Sequence, residues 1–162
     1  MATHAERRRR YALWLDAQQL EFGFAAELAL LSDRRTNGVM NDTPPEGLWP
    51  AIVPTVRLVE RVRAQFGPTT IHSAYRSPAY NAAVTTSTDS RHSHNDAIDF
   101  SCLQGTPSGP TTHKQAAEWF RQLAESVRAS IGLERLLNVH IYSWPVCGVV
   151  SRTTNEQRIS LR

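Results

Sequence analysis

The sequence predicts an α+β domain, a small and mostly antiparallel sheet with flanking helices. Three observations carry that prediction. Residues 97–102 and 137–143 alternate large apolar side chains with small or polar ones, the period of a half-buried strand. Residues 5–31, 48–66 and 112–129 read as helices, the last with Ala116, Phe120, Leu123 and Val127 in one apolar stripe. Clusters of glycine and proline punctuate the elements, as at Gly67-Pro68 and from Gly105 to Pro110.

In chain order, the first helix is expected over 5–31 with a break at Phe22-Gly23. The second spans 48–66, with Pro50 and Pro54 limiting its first turn, because proline lacks an N–H to donate. Gly67-Pro68 ends it and leads to a strand at 70–73. A short helix at 77–84 opens with Ser77-Pro78. Asn95-Asp96 is a turn, because both residue types favour turns and tolerate left-handed backbone. The strand at 97–102 then turns Ile98, Phe100 and Cys102 inward and Asp99 to the other face. Residues 103–111 form a loop, 112–129 the third helix and 137–143 a second strand. Gly148 to Ser151 adds an edge strand, followed by a polar tail expected to fray.

Composition fits one folded domain. The 162 residues are 41% hydrophobic and 20% charged, with a formal charge of +3. This length suffices to bury a continuous core. The mild positive charge favours an anionic polymer, cell wall or nucleic acid, without choosing between them. Arg7 to Arg10 read as the solvated face of an amphipathic helix, and no aromatic platform or second basic stripe supports nucleic-acid binding. The apolar run after them is interrupted by Asp16, Gln18 and Gln19, too polar for a secretory leader. No run reaches the length of a membrane span. The expectation is therefore cytoplasmic synthesis without a signal peptide. Cys102 and Cys147 are the two cysteines, expected as buried thiols, with a disulfide conceivable if their strands are neighbours.

Three residues suggest chemistry: His92, Asp99 and His140. Two imidazoles and a carboxylate suit a zinc ion that keeps an open position, as metal-assisted hydrolysis requires. On one helix His92 and Asp99 would lie about 10 Å apart along the axis, and on one strand about 23 Å. The chain must double back between them, and Asn95-Asp96 is where it can. The spacing alone leaves open that these are surface or hydrogen-bonded structural residues among the six histidines.

Upstream, Ser73-Ala74-Tyr75-Arg76-Ser77-Pro78-Ala79-Tyr80-Asn81 precedes Ser90-Arg91-His92 and Asp99. This order resembles the zinc D-Ala-D-Ala peptidases, in the branch with bacterial carboxypeptidases and some phage endolysins. The pattern there is Ser-Gly-Tyr-Arg-Ser-Pro-x-Tyr-Asn, then Ser-x-His-x-x-Gly-x-Ala-x-Asp, then a later strand histidine. The likeness runs from about Pro44 to about Tyr142. It implies a Hedgehog/DD-peptidase-like single domain: 1–43 an N-terminal helical extension, 44–145 the core motif region and 146–162 a C-terminal edge strand and tail. It implies that His92, Asp99 and His140 ligate Zn2+, that Arg76 binds substrate and polarises its carbonyl, and that Ser90 is a further substrate contact. A guanidinium suits that role through its permanent charge and forked donors. A structural Arg76, paired with a carboxylate or loop carbonyls, is the alternative. Tyr75 and Tyr80 are read as packing residues.

Departures from the pattern matter. The acid expected three residues before the last histidine, the general base, is Leu137 here. General-base catalysis is worth about 10²–10⁴-fold. Asn138 is no base, which leaves Glu134, His94 and Asp96 as candidates. The family glycine is Asn95, acceptable at positive φ. The glycine pair of the link is Thr85-Thr86, so the rim and the substrate are expected to differ.

Three functions follow. One is a zinc-dependent peptidoglycan stem-peptide hydrolase, of carboxypeptidase or endopeptidase type. It would reach the wall by phage lysis or as a virion component. The second is a catalytically impaired or inactive relative that binds wall or serves as a virion structural subunit. The third is a zinc enzyme of the same fold with another substrate, using Glu134 or His94 as base. The expected partner is a peptidoglycan peptide; neither membrane nor nucleic acid is expected, and virion or self-assembly partners stay open.

Overall fold

The computed structural model describes residues 1–102, 118, 122–123, 125–126, 136–143, 146–152 and 159–161. The expected loop at 103–111, most of the helix at 112–129, and Glu134 lie outside the described residues. Helix α1 (His4–Ala17) begins with a capping box, in which Thr3 and Glu6 each satisfy the other's backbone N–H. It ends earlier than the sequence suggests. Gln19, Phe22 and Gly23 all take positive φ, so the chain turns before α2 (Phe24–Leu30) rather than at Phe22-Gly23 alone. A 3₁₀ turn, Leu31–Asp33, leads to a hairpin of β1 (Arg35–Thr36) and β2 (Val39–Met40). Asn37 and Gly38 have φ of 49° and 78°, as a two-residue hairpin turn demands. The second expected helix divides into a 3₁₀ segment, Glu46–Ile52, and α3 (Val53–Phe66), stopped by Gly67 at φ 82°. Strand β3 (Thr69–Ser73) and α4 (Pro78–Val84) follow, the latter capped by Ser77 with proline in its first turn.

Strands β4 (Ala97–Cys102), β5 (Leu136–Ser143), β6 (Val146–Arg152) and β7 (Ile159–Leu161) complete a five-stranded sheet in the order β3-β4-β6-β5-β7. All pairs are antiparallel except β5 with β7. This α+β architecture corrects one expectation. The segment around Gly148 to Ser151 is the central strand, not an edge, and the tail supplies the edge strand β7 beyond it. The near-continuous apolar run Val146-Cys147-Gly148-Val149-Val150 is what an interior strand requires. The register sets Cys147 opposite Phe100, one diagonal step from Cys102. Diagonal neighbours lie roughly 7–8 Å apart, beyond the usual span of a disulfide. At the other edge, the Ile71 N–H of β3 donates to Glu27 Oε1 of α2 at 2.9 Å, which occupies part of an otherwise open strand edge.

One core joins these elements. Tyr11, Leu15, Phe24 and Leu28 pack with Val56, Val59 and Val62 of α3 and with Ile71, Ile98 and Phe100 of the sheet. Residues 1–43 therefore share the sheet's core. Among the described residues no helix is long and apolar enough to cross a membrane.

The arginine run faces solvent, as expected, but three of its members are paired. Arg7 pairs with Asp42, Arg8 with Asp33 and Arg10 with Glu46, while the two ring nitrogens of His4 reach Asp33 at 2.8 Å and Asp42 at 3.2 Å. Burial raises the Asp33 carboxyl, but the His4 hydrogen bond and Arg8 outweigh it and hold it below the ordinary value. Burial acts likewise on Asp42, outweighed by the Thr43 N–H and Arg7. A carboxylate with a depressed folded pKa contributes stability above its unfolded value, and that stability is lost as pH falls through the folded pKa. Both carboxylates are more than a third exposed, so the effect is small. The melting temperature of Asp33→Asn/Asp42→Asn is expected below wild type at pH 7, with the gap closing as pH falls below about 3.8. A gap unchanged at pH 2.5 would show that these carboxylates contribute nothing through charge.

Candidate metal centre

The doubling back between His92 and Asp99 occurs as the residue types require. Arg91–His94 forms a 3₁₀ turn, Asn95 takes φ 55°, and β4 begins two residues later. Asn95 donates to the Leu48 carbonyl at 2.9 Å and Thr55 of α3 donates to the Asp96 carbonyl at 3.0 Å, which fixes the turn to α3 and the segment before it. Ile98 and Phe100 are fully buried, and Asp99 stands on the opposite, open face.

His92 Nε2 lies 3.1 Å from Asp99 Oδ2. Its Nδ1 donates to the Ala74 carbonyl at 2.7 Å. A neutral imidazole with its proton on Nδ1 presents a lone pair at Nε2, so two acceptors face each other across 3.1 Å. A proton on Nε2 or a shared cation resolves that contact. The separation is close to the ~3.3 Å edge of a tetrahedron with zinc bonds of about 2.0 Å, and the carbonyl behind Nδ1 is the usual support of a metal-ligating histidine. These two residues therefore fit a metal ion.

The third position comes from register. Asp99 pairs with Gly148, and Gly148 with His140, so the three form one cross-strand row with the side-chain-free glycine in the middle. Directly paired residues of antiparallel strands share a face. His140 thus occupies the face of Asp99, two strands away. Among the described residues no group of three ligand-type side chains is formed, and the His140 side chain is not among them.

Arg76 joins the site. Its Nη2 donates to Asp99 Oδ2 at 3.2 Å and its Nε to Ser73 Oγ at 2.8 Å, while its backbone N–H donates to the His92 carbonyl at 3.2 Å. Both readings of Arg76 thus have a footing, as partner of the Asp99 carboxylate and as a charged group at its edge. Asn41, which the sequence reading passed over, holds the loop around it. Its buried side chain donates to the Tyr75 carbonyl at 2.8 Å and accepts from the Ser77 N–H at 2.9 Å, clamping both neighbours of Arg76. The Asn37-Gly38 pair, a hairpin signal next to Asn41, is the sequence clue that this segment is structured. Tyr75 and Tyr80 are buried packing residues, the latter accepting from the Thr36 hydroxyl at 3.1 Å.

Ser90 is half-buried and precedes the 3₁₀ turn, with no capping hydrogen bond from its side chain. His94 pairs with Asp89 at 3.3 Å and lines a groove beside Leu48 and Pro54. Asp96 is buried against Arg91 and borders the same groove. Neither is brought into the cavity beside Arg76, whose lining includes Ser73 and His72. Leu137 pairs with Ser151, an odd number of residues from His140, and so occupies the face of Ile98 and Phe100. Asn138 pairs with Val150, opposite Ala97, on the face of Asp99 and His140.

The Peptidase M15 family model matches residues 22–131. The chain belongs to the Peptidase M15 family, a family of peptidases. The match takes in Arg76, Ser90, His92 and Asp99 and stops before Leu137 and His140. No curated protein and no solved structure gives a significant match.

Proposed function

We propose that this chain is a zinc-dependent hydrolase of peptidoglycan stem peptides. The observation that carries the reading is the paired arrangement of His92 Nε2 and Asp99 Oδ2, 3.1 Å apart, with Nδ1 committed to the Ala74 carbonyl. His92, Asp99 and His140 would hold the ion, which when bound supplies Lewis acidity toward the scissile carbonyl and lowers the pKa of water. Arg76 orients the substrate. One arm of its guanidinium fixes Asp99, and the remaining donors can engage a peptide carbonyl or carboxylate. Ser90, with its hydroxyl free of capping, is available as a second contact.

A second reading has its own support. Leu137 sits on the core face, and the open-face position next to His140 is the amide Asn138. A relative that binds zinc and wall peptide without turnover would have this arrangement. Incubating the zinc-loaded protein with muropeptides, with and without chelator, separates the two by mass spectrometry. Hydrolysis is expected to release a terminal D-Ala or a cut cross-link and to stop with chelator. Stoichiometric zinc with no product at high protein concentration would establish the non-catalytic reading instead.

A further inference from the structure

We propose that the cavity beside Arg76 is a carboxylate-binding subsite, with Arg34 as its specificity-determining residue. The cavity encloses about 120 Å³, and Arg34, Asn41, His72, Ser73, Arg76 and Tyr80 contribute to its wall. No aspartate or glutamate lines it. Two guanidinium groups therefore border one small space without a carboxylate inside.

Arg34, like Arg63, is held by a backbone carbonyl rather than a carboxylate among the described residues, but Arg63 also lies over the Phe22 ring whereas Arg34 lines this cavity. Arg7, Arg8, Arg10, Arg57, Arg76 and Arg91 each face a carboxylate. Among the described residues Arg34 forms no ion pair, and its Nη1 donates to the backbone carbonyl of His72. That carbonyl is available because β3 bulges between Ile71 and Ser73, leaving His72 as the extra residue. The backbone of Arg34 is fixed on both sides: its N–H donates to the Leu31 carbonyl at 3.3 Å, and its carbonyl accepts from the Asn41 N–H at 2.8 Å. A bulge and a hairpin base thus hold a guanidinium at the cavity with donors to spare. An arginine fork is the group best matched to a carboxylate.

The cavity adjoins the metal centre through Ser73, which pairs with Asp99, and through Arg76. Placing the bound carboxylate next to the scissile amide rests on the hydrolase reading above, whereas carboxylate binding does not. The space admits a carboxylate on a short stem, which is either the free end of a peptide or an acidic side chain.

Four dipeptides separate these sources: alanyl-glutamate and alanyl-glutamine, each as free acid and as C-terminal amide. Affinities for the zinc-loaded protein are read by nuclear magnetic resonance titration of the arginine Nε–H signals. One carboxylate is expected to tighten binding about tenfold over its neutral counterpart, and the pair that shows it names the end or the side chain. Arg34→Gln is expected to reduce that preference below about twofold while binding the neutral dipeptide unchanged. Arg34→Lys, which keeps charge and loses the fork, is expected to retain part of it, and Arg35→Gln on the hairpin all of it. No preference in wild type, or a full preference in Arg34→Gln, overturns the subsite. Muropeptide cleavage is scored separately. Carboxylate preference without cleavage overturns the hydrolase reading alone, and cleavage without Arg34 dependence overturns the subsite alone.

Discussion

Replacing His92 with alanine is expected to weaken zinc binding by more than about 100-fold, since loss of a mere supporting partner of a ligand already costs about 10–100-fold. The side chain has two engagements, Nδ1 with the Ala74 carbonyl and Nε2 with Asp99. Alanine removes both and leaves Asp99 with Arg76 as its described partner. Zinc added at a thousand times its dissociation constant stabilises a folded protein by about 4 kcal/mol. The wild-type melting temperature should rise clearly with zinc, and that of His92→Ala should not. Competition with a chromogenic chelator gives the affinities directly. Equal zinc affinity in the variant would remove His92 from the site and with it the proposed chemistry. Ser90→Ala is the matched control, expected to leave zinc affinity unchanged because the role proposed for that hydroxyl is contact with substrate rather than with the ion.

The parts of this site that are local in sequence are legible in it. Asn95-Asp96 is readable as a turn from residue type, and Asn95 adopts the left-handed backbone that the reading needs. The alternation of 97–102 assigns Ile98 and Phe100 inward and Asp99 outward, as found. What depends on distant partners is not legible in the same way. Alternation identifies a strand without naming its neighbours, so β6 reads as an edge although it lies between β4 and β5. The arginines of α1 find Asp33, Asp42 and Glu46 only because the hairpin and the segment after it fold against the helix. Arg34 is silent in the sequence for a related reason. Its role comes from a bulge in a strand almost forty residues later, and no local pattern encodes that meeting.

The expected position of the general base is where sequence and register part most sharply. Counting three residues back from His140 gives Leu137, but in an extended strand an odd step crosses to the other face. By register, position 137 falls on the sheet face that carries the buried Ile98 and Phe100, where an apolar residue type suits. Leu137→Glu is therefore expected to bury an unpaired carboxylate, to cost about 3–5 kcal/mol in chemical denaturation, and to add no hydrolysis. Asn138 lies two residues from His140 on the open face, about 6.8 Å along the strand and opposite Ala97 through Val150. Asn138→Asp keeps the shape and supplies a base beside the Asp99–Gly148–His140 row. It is expected to raise muropeptide hydrolysis by about 10²–10⁴-fold, the usual worth of general-base catalysis, with little change in stability. Rates measured at equal zinc occupancy decide between the two positions. A gain in Leu137→Glu with none in Asn138→Asp would mean that β5 turns the opposite face to the metal.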